Sequence, residues 1–180
     1  FKPLKRQWKA AGVYEAFIIA LFAEMYGFPL TVFLLSSFSG MSLGFGHIQG
    51  HLLASLLSMT GILSLETGWM LVMFASNLLI VIGLILVSSG WEEIHRANGG
   101  LVTGGIYEYI RHPQYTGIIA LTIGFLVQWP TLITLAMWPI LILMYYRLAK
   151  SEEREMEERF GESYKECKRR VPMFLPGLKI

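Results

Sequence analysis

The sequence predicts an all-α, polytopic membrane helix bundle: four spans plus one interfacial or re-entrant helix, five helices in or at the membrane, and a cytoplasmic C-terminal helical extension. Three observations carry this reading. The first is composition, with 54% of the 180 residues hydrophobic, 16% charged and a mean hydropathy of +0.51, where a soluble domain carries about 25% charged residues. The second is the placement of basic residues. Lys2, Lys5, Arg6 and Lys9 open the chain, the next is Arg96, and none lies between. The third is a set of apolar runs near the roughly 20 residues that cross a bilayer as a helix. These features exclude an ordinary soluble globule, a disordered chain and a collagen-like repeat. Cys167 is the one cysteine, so no internal disulfide scaffold exists.

Taken in order, Ala11 to Phe38 is the first span, with a kink expected at Gly27 and Pro29. Gly40 to Gly68 is apolar in part but short and rich in Ser and Gly, which suits an interfacial or re-entrant helix on the far side. Trp69 to Gly90 is the second and most uniform span. Gln114 to Trp129 and Thr131 to Leu148 are the third and fourth, a hairpin split at Trp129-Pro130. Basic residues collect in cytoplasmic segments. Both termini are basic, so both are expected in the cytoplasm, which requires an even number of spans and puts the loop with Arg96 and Arg111 on the same side. The chain opens on Phe rather than Met, so its start is expected to be trimmed or disordered, and no cleavable signal peptide is recognisable.

Polar groups in the apolar runs are the first candidates for function. Glu15 and Glu24 point to opposite sides of the first span, and Glu24 lies near its middle, where an unpaired charge is costly. It is read either as a structural hydrogen bond or as a cavity-lining group on the substrate side. His47 and His51 have metal-ligand spacing, but no third ligand is near, so interfacial histidines are expected and no metal.

Two cytoplasmic segments can carry chemistry. In the first, two glycine pairs precede Arg111-His112-Pro113. Proline pushes the residue before it out of helical geometry and suits the first helical position. His112 is therefore expected at the N-cap of the third span, whose free N–H groups attract an anion. Tyr107, Tyr109 and Tyr115 surround that point, and Arg111 is a second substrate-side candidate. In the second segment, Tyr145, Ala149, Met156 and Phe160 form one helical stripe with Glu152 in its middle and Glu153 beside it. A carboxylate on a buried face needs a partner. Glu155, Glu157 and Glu158 fit a solvated face.

These residues together resemble the signature of the isoprenylcysteine carboxyl methyltransferase family. Gly105-x-Tyr107, Arg111-His112-Pro113-x-Tyr115-x-Gly117, Arg147, Glu152-Glu153, Phe160-Gly161-x-x-Tyr164 and Val171-Pro172-x-x-x-Pro176 follow in the family's order and spacing over roughly Gly90 to Pro176. The wider group includes phospholipid and small-thiol methyltransferases, and membrane sterol reductases share its fold. The resemblance implies an integral-membrane enzyme that uses S-adenosylmethionine to methylate a lipophilic or small acceptor (carboxylate, thiol or amine) at the cytoplasmic face. It implies Tyr107, His112, Pro113, Tyr115, Gly117, Glu152 and Glu153 as cofactor-binding positions, with Arg147 and Glu153 as catalytic ones. Cys167 and Met173 depart from the pattern, at positions often aromatic and often basic. The chain is then one structural domain, with N-terminal membrane helices over 1–90 and a cofactor-binding half over 91–180. The expected partners are the lipid bilayer and the acceptor, without nucleic acid. The competing readings are an NADPH-dependent reductase of the sterol reductase type and a non-enzymatic transporter or scaffold.

Overall fold

The computed structural model describes residues 5–27, 29–39 and 51–177, and among them the chain is helical with no strand. Helix α1 (Lys5–Phe22) runs into a turn of π-helix (Ala23–Gly27), followed by α2 (Leu30–Ser39), α3 (Leu52–Met59), α4 (Leu65–Arg96), a 3-10 turn (Gly105–Glu108), α5 (Pro113–Gln128), α6 (Leu132–Phe160) and α7 (Glu162–Arg170). Among the described residues, three stretches are long and apolar enough to cross a membrane: Gln7–Gly27, Leu65–Arg96 and Leu132–Phe160. Large apolar side chains on α4 stay exposed, among them Phe74, Leu84 and Ile85, which is a face made for lipid rather than water. The chain is an integral membrane protein.

Several elements differ from the expectation. The first span is not one helix to Phe38. It breaks before Pro29, whose carbonyl accepts from Phe33 N at 3.0 Å and so opens α2. Proline has no N–H to continue the preceding helix. Helix α5 has 16 residues, about 24 Å of rise, because Pro113 starts it and Trp129-Pro130 follows it. Of the segment between the first two spans, residues 51–68 are described. They hold the eight residues of α3, about 12 Å long and too short to cross a bilayer alone. His47 lies outside the described residues.

The chain folds as two compact units, Phe1–Leu79 with Thr122–Ile142, and Ile80–Leu121 with Leu143–Ile180. In the first, Phe17, Leu21, Ala54 and Leu141 form the interior. Both oxygens of the buried Glu24 accept from Thr31, one from its backbone N–H and one from its hydroxyl, each at 2.9 Å. Thr31 Oγ1 in turn accepts from Leu132 N at 2.9 Å. This carboxylate thus makes a structural hydrogen bond across the break in its own span, because the break at Pro29 leaves the N–H groups of the first turn of α2 free beside it. Thr131 caps α6, its hydroxyl accepting from Thr134 N at 3.1 Å. His51 sits edge-on to the rings of Trp69 and Trp129, with Nδ1 2.6 Å from Gln128 O.

In the second unit, α4 and α5 run antiparallel along a line of small residues. A Cβ added to Gly83 would lie 2.7 Å from the carbonyl oxygen of Gly117, and one added to Gly117 would lie 2.6 Å from that of Gly83. About two turns along α4, Gly90 meets Pro113 and Gln114 in the same way. This packing sets the first turn of α5 against α4.

Candidate functional site

The site is built at the N-terminus of α5, wholly within the second unit. His112 precedes the helix and its carbonyl accepts from Thr116 N at 3.0 Å, the position of an N-cap residue. The segment after α7 is laid across this turn. Arg111 N donates to Pro172 O at 3.0 Å, His112 N to Met173 O at 3.1 Å, and the Thr116 hydroxyl to Phe174 O at 3.0 Å. Val171-Pro172 ends α7 in extended backbone, so the carbonyls of 172 to 174 are free to accept. Met173 is 1% exposed, which explains how an apolar residue is accommodated at a position where a basic one was expected.

Aromatic rings line the same turn. The His112 ring stacks on Tyr115, with centroids 5.5 Å apart and planes at 9°, and Phe174 tilts against it at 6.0 Å. Tyr115 also meets Tyr145 of α6 at 5.2 Å. The phenol of Tyr115 donates to Glu152 Oε1 at 2.6 Å, and Glu152 Oε2 lies 3.8 Å from His112 Nδ1. Tyr107, in the 3-10 turn, donates weakly to Gly90 O at 3.4 Å. Burial, then the charges of Glu152 and Glu93, push its phenol well above the ordinary range. The turn that presents it needs Gly105. Its φ is +60°, and a Cβ there would meet Glu93 Oε1 at 2.8 Å.

Glu153 is the centre of charge. It is 1% exposed, with Oε1 2.7 Å from Arg111 Nη1 and Oε2 3.1 Å from Lys168 Nζ, while His112 Nε2 stands 3.7 Å from Oε1. By distance, these are ion pairs. Lys168 also binds Glu157 Oε1 at 2.6 Å. Helix α7 brings Lys168 in by burying Tyr164 and Cys167 on the same face, three and four residues apart. Burial and the charge of Glu153 raise the Tyr164 phenol against the opposing Arg111.

The structure thus brings together Tyr107, Arg111, His112, Pro113, Tyr115, Glu152 and Glu153. The buried member of the glutamate pair is Glu153, and Glu152 is half-buried. The stripe arithmetic centred on Glu152 misses this, since burial here is set by the cover that α7 and residues 171–174 supply. Gly117 does not face the cluster of rings and charges but the backbone of α4. Arg147 is exposed, about 200° around α6 from Tyr145, and Glu24 belongs to the first unit. The sequence reading missed Lys168 and Phe174. Lys168 stands four residues beyond Tyr164, which was a usable signal, but it opens a Lys-Arg-Arg run that resembles any cytoplasmic basic cluster. No group of three His, Cys, Asp or Glu able to hold a metal occurs among the described residues.

Residues 71–163, just over half of the chain, match the phospholipid methyltransferase family. Among curated proteins, the human protein-S-isoprenylcysteine O-methyltransferase is 36% identical over 80 residues, 44% of this chain and 28% of that protein. The enzyme of the same name from Schizosaccharomyces pombe is 29% identical over 77 residues, 42% of this chain and 33% of that one. Protein-S-isoprenylcysteine O-methyltransferase B of Arabidopsis thaliana is 30% identical over 86 residues, 47% and 42% respectively. The matched stretch spans less than half the length of each of these relatives. No solved structure matches the chain.

Proposed function

The chain belongs to the phospholipid methyltransferase family, and we propose that it is an S-adenosylmethionine-dependent methyltransferase acting at the cytoplasmic membrane face on a lipophilic or small acceptor. The acceptor carries a carboxylate, thiol or amine, and an isoprenylated cysteine is the form suggested by the names of the relatives. In this reading both termini and the α6–α7 extension lie in the cytoplasm, following the basic residues.

One observation carries the proposal. Three segments far apart in the chain, Tyr107–Tyr115, Glu152–Glu153 and Pro172–Phe174, converge on one helix N-terminus. The residues there fit the cofactor. Gln114 Nε2 and Arg111 Nε are buried without a hydrogen-bond partner, and such donors are costly unless a ligand satisfies them. S-adenosylmethionine, when bound, supplies a sulfonium methyl group open to in-line displacement. The first turn of α5 and His112 are proposed to hold its carboxylate. Glu152, already accepting from Tyr115, is proposed to accept from amino or ribose hydroxyl groups. The faces of Tyr115 and Tyr145 suit a cation.

The contribution of the protein is then alignment and the exclusion of water, which can supply much of a rate enhancement. No side chain of the cluster has to take a proton from an anionic acceptor. Arg147, on the outer face of α6, is proposed to meet an anionic acceptor approaching from the lipid side.

Isothermal titration of the purified protein with S-adenosylhomocysteine, with NADPH in parallel, tests the proposal. Binding of S-adenosylhomocysteine alone supports it and justifies an acceptor screen with labelled methyl donor. Binding of NADPH alone moves the function to reduction and overturns it.

A further inference from the structure

Glu153 is the most heavily engaged carboxylate of the site, and the source of one of its partners is unexpected. Burying a carboxylate is unfavourable unless it is paired. Arg111, itself 7% exposed, would suffice for charge neutrality. Yet the second oxygen of Glu153 is taken by Lys168, which comes from a different helix and is more than a third exposed. An ammonium with that much access to water gains little by turning inward for a single pair. Lys168 turns inward because it meets two carboxylates one turn apart on α6, Glu157 at 2.6 Å and Glu153 at 3.1 Å. The hydrogen bond to Glu157, then the contacts to Glu153, raise its pKa and keep it charged.

We propose that Lys168 is a positioning residue of the cofactor site: it fixes Glu153 from the side opposite Arg111, so that Glu153 presents Oε1 to Arg111 and His112 in one orientation. This rests on the function proposed above and reassigns Glu153 from a catalytic group to a brace. Both of its oxygens face cations, so it serves the site by holding Arg111 and His112 in place. The contact chain runs from α7 through Lys168 and Glu153 to His112, the residue that caps α5. The groups facing His112 are Glu152 and Glu153 from α6, the ring of Tyr115 from α5, the ring of Phe174, and Arg111 beside it in the chain. Lys168 reaches it only through Glu153.

The test uses the full chain in nanodiscs and compares Lys168→Met with Lys168→Arg. Two quantities are read: affinity for S-adenosylhomocysteine, and the ring resonances of His112 in protein labelled on histidine, identified by their loss in His112→Asn. The expected result is that Lys168→Met weakens binding roughly tenfold, as loss of one charge-assisted contact at a site does, and displaces the His112 resonances. Lys168→Arg keeps the charge and is expected to restore both. Glu157→Gln leaves Lys168 a single ion pair, so its hold on Glu153 should loosen, with a smaller displacement of the His112 resonances and a smaller loss of binding than in Lys168→Met. Unchanged His112 resonances and unchanged binding in Lys168→Met overturn the proposal. So does a Lys168→Arg variant that behaves like Lys168→Met, because shape rather than charge would then be at work. If Lys168→Met does not fold, Glu157→Gln still decides, since unmoved His112 resonances and unchanged binding in that variant overturn the proposal. Wild-type protein that binds no S-adenosylhomocysteine refutes the proposed function, while the His112 resonances still report on Lys168 independently.

Discussion

Replacing Gly117 with alanine separates two roles that one residue was expected to combine. The family resemblance implies a place for Gly117 near the cofactor, whereas the structure gives it to the contact between α4 and α5. The new Cβ would lie 2.6 Å from Gly83 O, 2.7 Å from Val87 Cγ2 and 3.0 Å from Val87 N. Ordinary contacts sit near 3.5–4 Å, so the helices must part by roughly 1 Å. Two of the three obstructing atoms are backbone and cannot swing aside. Overpacking of this kind costs about 1–3 kcal/mol, partly offset by the better helix propensity of alanine, worth up to about 1 kcal/mol. For a chain of this length the net effect is a fall in Tm of roughly 2–10 °C. Gly83→Ala is expected to do the same, and the double variant less than the sum, because helices already parted by one methyl accept the second. Gly104→Ala, with nothing within 4 Å of its Cβ, is the control and should leave Tm within about 1 °C. Thermal unfolding in detergent, followed by titration with S-adenosylhomocysteine, reads the outcome. Loss of binding in Gly117→Ala with an unchanged Tm would refute the packing argument and return the residue to the cofactor.

Three more expectations can be checked in the same preparations. Tyr115→Phe removes the 2.6 Å bond to Glu152 and should weaken S-adenosylhomocysteine binding by about 1 kcal/mol, roughly fivefold, with the stacked rings intact. Glu24→Ala leaves the N–H of Thr31 without its acceptor and should lower stability by about 1–3 kcal/mol in a melting experiment, with Glu24→Gln milder; activity lost at unchanged Tm would instead support a substrate role. For Cys167, burial pushes the thiol up against the opposing charges of Arg111 and Arg170. A raised folded pKa means that the protonated thiol contributes stability below the ordinary thiol range, lost as pH rises through the folded value. Iodoacetamide labelling at pH 7.5 should therefore be slow and should accelerate only in strongly alkaline buffer, whereas rapid labelling at pH 7.5 would contradict the burial of α7.

Much of the site was legible because its residues come from local rules. Proline after His112 places the histidine at a helix start, and a pair of glutamates on an otherwise apolar stripe of α6 marks a carboxylate that needs partners. Less was legible where the partner lies far along the chain. Apart from its spacing from Tyr164, Lys168 is not set off from Arg169 and Arg170, which pair on the surface with Glu166. The break before Pro29 was visible as a kink, but the π-turn that lets Glu24 reach both donors of Thr31 was not.

The sequence by itself determined the membrane class, the helical architecture, the position of the α5 cap and the family to which its motifs belong. The first three depend on composition, period or spacing within about twenty residues, and the last on a resemblance in the order of motifs along the chain, all of which a linear reading contains. Only the tertiary structure decided that Glu153 rather than Glu152 is buried, that Gly117 serves helix packing, that Arg147 faces outward, and that α7 supplies Lys168. Those outcomes depend on which element covers which face. Such cover is a contact between segments tens of residues apart, and the 3.6-residue period of one helix carries no information about what lies against it.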